Sequence, residues 1–254
     1  MRIYFKFAIP CLIIIVFFIS LSFSFEDELD TVPIHELKTH LTYPLNVEEP
    51  SGLSLSSESG VFFTVSDNTN RIYKISETGE ILDEFSYNGN DLEGVVYNPA
   101  DNTIWVAEER NKEIVNIDMF GNEINRISIP LISSKKSNGT EGICINPSNG
   151  HIFALNEKEP GKLIEINSSG FVINETELSF ANDYSGICFG DSNGELWILS
   201  DESSIIARCD LSGTVINKYS IDVKKAEGIA IDFEKGFIYI VCDSKEKLHI
   251  FLKP

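Results

Sequence analysis

The sequence is poor in positive charge. Lysine and arginine together number 20, against 39 aspartates and glutamates, for a formal net charge of −19. Phosphate backbones recruit basic surface, so this balance argues against nucleic acid as a partner. Helical patterning is missing too. Outside the first 25 residues no segment sustains an apolar period of 3.6. Histidine is scarce. His35, His40, His151 and His249 share no local metal spacing of the H-E-x-x-H kind. No EF-hand loop occurs. The five cysteines stand at no spacing that demands a disulfide, so free buried thiols are expected even where disulfides are permitted. The remaining composition is ordinary, at 43% hydrophobic and 11% aromatic, which excludes a disordered chain. A length of 254 residues suffices for a large domain with a sizeable core.

The one long apolar run lies at the start. Arg2 and Lys6 precede a stretch from Phe7 to Phe23, and no acid occurs before Glu26. Basic flank, apolar run and acidic exit make residues 1–25 a secretory signal peptide or a signal-anchor transmembrane helix. The run is at the short end of the roughly 17–25 residues that a spanning helix needs. Cys11 lies inside it and not after it, against a lipoprotein anchor. Either reading puts the rest of the chain outside the cytoplasm, in a periplasmic, extracellular or cell-envelope setting. A linker is expected at 26–34 and a folded domain at 35–254.

That domain is repetitive. The dipeptides Ser51-Gly52, Glu93-Gly94, Glu141-Gly142, Ser185-Gly186 and Glu227-Gly228 recur at intervals of about 40–50 residues. Each is followed by a short apolar run, a turn such as Asn146-Pro147-Ser148-Asn149-Gly150, and a second run such as Phe237-Ile238-Tyr239-Ile240-Val241. Two further runs follow, separated by a turn holding Gly79, Gly121, Gly170 or Gly213. Runs of 4–8 residues rich in β-branched and aromatic types, bounded by turn residues, are strands. Four strands per repeat of this length make a propeller blade. The fifth repeat lacks its last strand, while residues 35–43 form one orphan strand before the first. The expectation is a five-bladed β-propeller, all-β and monomeric, closed by its N-terminal strand. Closure removes sheet edges that would otherwise seed aggregation. A sixth blade would need a repeat that the chain does not contain.

Fifteen residues after each repeat glycine stands an acid: Asp67, Glu109, Glu157, Asp201 and Asp243. The glycine dipeptides begin the innermost strands, and these acids end the antiparallel strands beside them. Both sets should therefore ring one mouth of the central channel. The inner ring would hold Ser51, Glu93, Glu141, Ser185 and Glu227. Converging carboxylates repel unless protonated, solvated or bridged by a cation, and hard oxygen donors suit calcium. The plain alternative is that these acids accept backbone hydrogen bonds at strand ends and stay solvated.

These motifs resemble the SdiA-regulated, or YjiK-like, family of bacterial envelope proteins. The resemblance rests on Glu49-Pro50-Ser51-Gly52-Leu53, Val65-Ser66-Asp67, Leu92-Glu93-Gly94-Val95, Ala107-Glu108-Glu109-Arg110, Thr140-Glu141-Gly142-Ile143, Ser185-Gly186-Ile187, Leu199-Ser200-Asp201-Glu202 and Ala226-Glu227-Gly228-Ile229. It spans residues 40–254. It implies a five-bladed propeller, distantly similar to NHL-repeat propellers, behind an N-terminal membrane segment, and a calcium site. The metal-ligand candidates are then Glu93, Glu141, Glu227, Glu109, Glu157 and Asp201. Cys242-Asp243-Ser244 departs from the family pattern, where a Ser-Glu pair is more usual, so Asp243 is left out.

Other motifs carry less. Gly190-Asp191-Ser192-Asn193-Gly194 matches the nucleophile elbow, but it occupies a hairpin turn and not the strand-to-helix turn that the elbow requires. Trp105 and Trp197 share a strand position with Phe63, Phe153 and Tyr239 and are read as a repeated core aromatic. Asn138, Asn167 and Asn174 open glycosylation sequons, which matter only in a host that uses them. The expected function is an exported or membrane-anchored binding module, with calcium at the mouth for structure or for holding an anionic small ligand. No catalytic residue is assigned. The alternatives are a calcium-dependent hydrolase of phosphotriesterase, lactonase or phytase type, and a metal-free scaffold for a cationic protein partner.

Overall fold

Continuous apolar runs flanked by outer runs of mixed polarity already suggest sheets stacked face to face, with only their rims in water. The structure, a computed structural model, describes residues 32–129, 139–190 and 194–254. The signal or anchor segment, part of the linker, Asn138 and the middle of the Gly190–Gly194 turn lie outside them. Among the described residues all regular structure is strand, and no helix is long and apolar enough to cross a membrane.

Two short strands come first, β1 (Ile34–Glu36) and β2 (Thr39–Pro44). The first blade is β3 (Pro50–Leu55), β4 (Val61–Ser66), β5 (Arg71–Ser76) and β6 (Ile81–Glu84). The second is β7 (Leu92–Asn98), β8 (Thr103–Glu108), β9 (Glu113–Ile117) and β10 (Glu123–Ser128). The third is β11 (Thr140–Ile145), β12 (Ile152–Asn156), β13 (Lys162–Ile166) and β14 (Val172–Glu177). The fourth is β15 (Gly186–Phe189), β16 (Leu196–Ser200), β17 (Ile205–Cys209) and β18 (Val215–Ser220). The fifth takes β19 (Ala226–Asp232), β20 (Phe237–Cys242) and β21 (Lys247–Leu252) from the end of the chain, and β2 as its outer strand. The five-bladed propeller is thus closed by an N-terminal strand.

The expected single strand at 35–43 is in fact two. β1 adds in parallel to the outer edge of β18, pairing Ile34 with Lys218 and Glu36 with Ser220. Leu37 N–H then donates to Ser220 O at 2.9 Å, and the chain crosses to pair β2 antiparallel with β21. The arm therefore staples blade four to blade five. Residues 32–254 form one compact unit with its own cores.

Burial falls from the inner strands outward. β4 (Val-Phe-Phe-Thr-Val-Ser) is buried almost throughout, because blades cover both of its faces, whereas β10 (Glu-Ile-Asn-Arg-Ile-Ser) is largely exposed. The repeated aromatic position fills the gaps between blades. Phe63 stacks on Tyr97 of the next blade at 5.6 Å, and Trp197 on Tyr219 at 5.8 Å; Trp105 alone of the five is only half-buried. The four cysteines of this unit are free.

The repeat glycines have a geometric cause. A Cβ on Gly94 would lie 2.3 Å from Glu141 O, and one on Gly142 2.8 Å from Ile187 N. One on Gly186 would lie 2.8 Å from Glu227 O, and one on Gly228 2.6 Å from Leu53 N. One on Gly52 would lie 2.6 Å from Val95 N, which completes the circle. Each inner strand touches the backbone of the next at its glycine, where only hydrogen fits. These glycines and the residues after them pinch the channel to a cavity of about 10 Å³.

Candidate functional site

The carboxylates enter the channel because the inner strands bulge. Pairing slips by one residue between Pro50 and Leu53, Leu92 and Val95, Thr140 and Ile143, and Ala226 and Gly228. A bulge places an extra residue on one strand and re-aims its side chain. Here the slip falls at Ser51, Glu93, Glu141 and Glu227, all of which line one cavity of about 280 Å³. Asp67, Glu109, Glu157 and Asp243, one residue past the ends of the neighbouring strands, line it as well. Five of the six candidates named from sequence, Glu93, Glu141, Glu227, Glu109 and Glu157, thus meet at one mouth.

The sixth, Asp201, stands close enough to act on Glu227 but does not line the cavity. Its Oδ1 accepts from the backbone N–H of Lys225 at 2.5 Å and of Ala226 at 3.3 Å. Blade four generally turns its polar groups to structural use. The Ser185 hydroxyl donates to Ala226 O at 2.7 Å. Buried Asp183 accepts from the Ser200 hydroxyl and from Glu202 N–H. The mouth is therefore lopsided, with its carboxylates in blades one, two, three and five.

Three residues at the mouth escaped the sequence reading: Glu49, Asp91 and Lys225. All stand three positions before a repeat glycine, where the other blades carry Gly139 and Asp183. The backbone is left-handed at each of the three, with φ of 41°, 62° and 53°. The offset was there to be found, but a column mixing acid, glycine and lysine does not announce itself. Asp91 matters most. Asp91, Glu93 and Glu109 each offer a carboxylate oxygen, and these oxygens lie within 4.8 Å of one another. Cations flank the mouth: Lys225 Nζ lies 2.5 Å from Asp243 Oδ2, and Arg110 Nε lies 2.7 Å from Asp91 Oδ2.

The electrostatics follow from crowding. Burial, and then Asp67, Glu109 and Glu227, push the Glu93 carboxyl well above the usual range, against the pull of a hydrogen bond with Ser51. Burial and then Glu93, Glu109, Glu157 and Glu227 do the same to Glu141. Glu109 rises to about 7, chiefly by burial and with help from Asp91, although Gly139 N–H donates to its Oε1 at 2.9 Å. Burial, followed by Asp201, Asp243 and Asp183, brings Glu227 to about 7. Asp67 rises to about 6 through burial and Glu49, and its Oδ1 is buried without a hydrogen-bond partner. Burial raises Glu157 too, opposed by Lys158 at 2.5 Å. Such a site favours anything that brings positive charge to oxygen.

Fold and mouth together define a five-bladed propeller with carboxylates converging at one end of its channel. The chain belongs to the SdiA-regulated family, which it matches over residues 34–245. No curated protein matches it. Among solved structures it is similar to virginiamycin B lyase from Staphylococcus aureus, at 23% identity, a TM-score of 0.51 and 80% coverage of this chain; the chain spans 66% of that enzyme's length. It is also similar to glutaminyl cyclase from Myxococcus xanthus, at 15% identity and a TM-score of 0.68, covering 86% of this chain and 97% of that one. A gluconolactonase from Xanthomonas campestris follows at 10% identity and a TM-score of 0.56, covering 85% and 98%. At these identities the likeness is one of fold.

Proposed function

We propose that the protein is an exported or membrane-anchored binding module whose channel mouth holds calcium. The observation that carries this reading is the Asp91–Glu93–Glu109 cluster, oxygens within 4.8 Å of one another, beside a buried Asp67 oxygen with no partner. The donors are all carboxylate oxygens, the set that a hard cation takes in variable number. Asp91, Glu93, Glu109 and Asp67 would hold the ion, with Glu141, Glu157 and Glu227 completing the negative surround. Arg110 already pairs with Asp91 at 2.7 Å and Lys158 with Glu157, and the ion would bring positive charge to Glu93, Glu109 and Asp67 as well. The rest of the cavity, with Lys225 at its edge, suits an anionic group of a small ligand. The apolar stretch from Phe7 to Phe23 would serve as the export signal or the anchor.

The test is the thermal midpoint of residues 32–254 after EDTA, with and without calcium. Calcium at a hundredfold excess over Kd stabilises by about 2.7 kcal/mol, a rise of roughly 5–10 °C for a unit of this size. The rise is expected to be selective for calcium over magnesium and absent when Glu93→Gln and Glu141→Gln are combined. No shift in the wild-type protein removes the ion from this reading. A second reading, calcium-dependent hydrolysis, is favoured by the room in a cavity of about 280 Å³. A phosphoester and lactone screen of the calcium-loaded protein decides between them.

A further inference from the structure

The channel does not end at its glycine waist. Beyond it the inner strands enclose a chamber of about 130 Å³, lined by Leu53, Val96, Ile143, Cys144, Ile187 and Ala230 among others. The chamber borders a wider cavity of about 290 Å³ walled by Tyr97, Pro99, Pro147 and Phe189. Leu55, Ile145 and Phe189 line both, so the two adjoin. The inner end is stopped by the waist of about 10 Å³. The result is a blind apolar pocket at the end of the channel opposite the carboxylates.

Its chemistry is the reverse of the mouth's. Among the described residues no acidic or basic side chain lines either part. The deep hydroxyl, on Ser54, is already used: it accepts from Tyr97 N–H at 3.0 Å and donates to Leu55 O at 3.3 Å. At the rim the Tyr97 hydroxyl donates to Asn102 Oδ1 at 2.9 Å and lies 3.2 Å from that of Ser57, which leaves its oxygen able to accept from a guest. The side chains of the deep part favour an apolar guest, while the inner strands, as sheet edges, also present free backbone groups to the channel. A charged head group would find no counter-ion among the described residues of the rim. Narrow apolar depth, a wider aromatic and proline throat, and hydroxyls at the edge set the shape and polarity of the guest.

We propose that this pocket is a second binding site, separate from the acidic mouth, for a slender uncharged aliphatic chain ending in a hydroxyl. The test uses residues 32–254 and the neutral fluorescent probe N-phenyl-1-naphthylamine, displaced by 1-decanol. Saturable displacement is expected, with decanoate at least tenfold weaker than decanol. Ala230→Leu, which fills the chamber, should weaken decanol tenfold or more. Pro147→Glu, at the exposed rim, should weaken it several-fold without touching the core, and it decides the matter should the leucine variant not fold. EDTA and Glu141→Gln should leave the displacement unchanged, so this site stands or falls apart from the calcium reading. Absence of saturable displacement, wild-type affinity in both pocket variants, or equal affinity for decanoate overturns the proposal.

Discussion

Replacing Glu227 with glutamine should stabilise the metal-free protein, and only above neutral pH. Burial and then Asp201, Asp243 and Asp183 raise this carboxyl from its ordinary 4.5 to about 7. A group that protonates more readily folded than unfolded contributes its full stability below its unfolded pKa. That contribution is lost as pH rises through the folded pKa. Between pH 4.5 and 7 the Glu227 carboxylate therefore turns into a liability, and above pH 7 the liability is constant. At about 1.4 kcal/mol per unit the shift corresponds to an upper figure of about 3 kcal/mol. Partial exposure to water in the cavity reduces it to about 1–2 kcal/mol. Glutamine keeps the shape and removes the charge. Glu227→Gln in residues 32–254 should raise the midpoint by about 2–8 °C at pH 8 in EDTA and leave it unchanged at pH 4, using roughly 2–4 °C per kcal/mol for a unit of this size. The assay is a pair of thermal melts across that pH range. An increase of equal size at pH 4, or a loss at pH 8 in EDTA, would show that Glu227 acts through packing and not through charge, and would refute the reasoning.

Two further expectations concern the ring itself. Gly94→Ala should cost about 1–3 kcal/mol in urea unfolding, because its Cβ meets the backbone of the next blade at 2.3 Å. Gly236→Ala, with open space but a φ of 72°, should lose only the roughly 1–2 kcal/mol of left-handed backbone. Among the thiols, burial pushes Cys209 up to about 12 and raises Cys144, Cys188 and Cys242. Native residues 32–254 should therefore label slowly with a thiol reagent at pH 8 and release four thiols at once on unfolding, counted by mass spectrometry.

Sequence alone determined the blades. A glycine that tolerates no Cβ, an apolar run, a turn and an acid at a constant offset recur because each blade must meet the next in the same way. Local strand chemistry repeats with them. The same periodicity placed Glu93, Glu109, Glu141, Glu157 and Glu227 at one mouth, since antiparallel strands return residues fifteen apart to one end. The division of the N-terminal arm into β1 and β2 was settled by tertiary structure, because the edge of β18 that receives Ile34–Glu36 lies far away in the chain. The same holds for Asp201. Its repeat position equals that of Glu109, and like Glu109 it accepts a backbone N–H from the start of the next blade, but the shorter side chain takes a second one from Ala226 and does not line the cavity. Asp91 joined the site through a left-handed turn that brings its carboxylate to Glu93 and Glu109. The blind pocket needed the ring to close, for its depth is what remains when five inner strands meet at their glycines and the side chains beyond do not fill the space. Periodicity is a property of one blade and can be read along the chain, whereas the cavity and the choice of hydrogen-bond partner belong to all five blades at once.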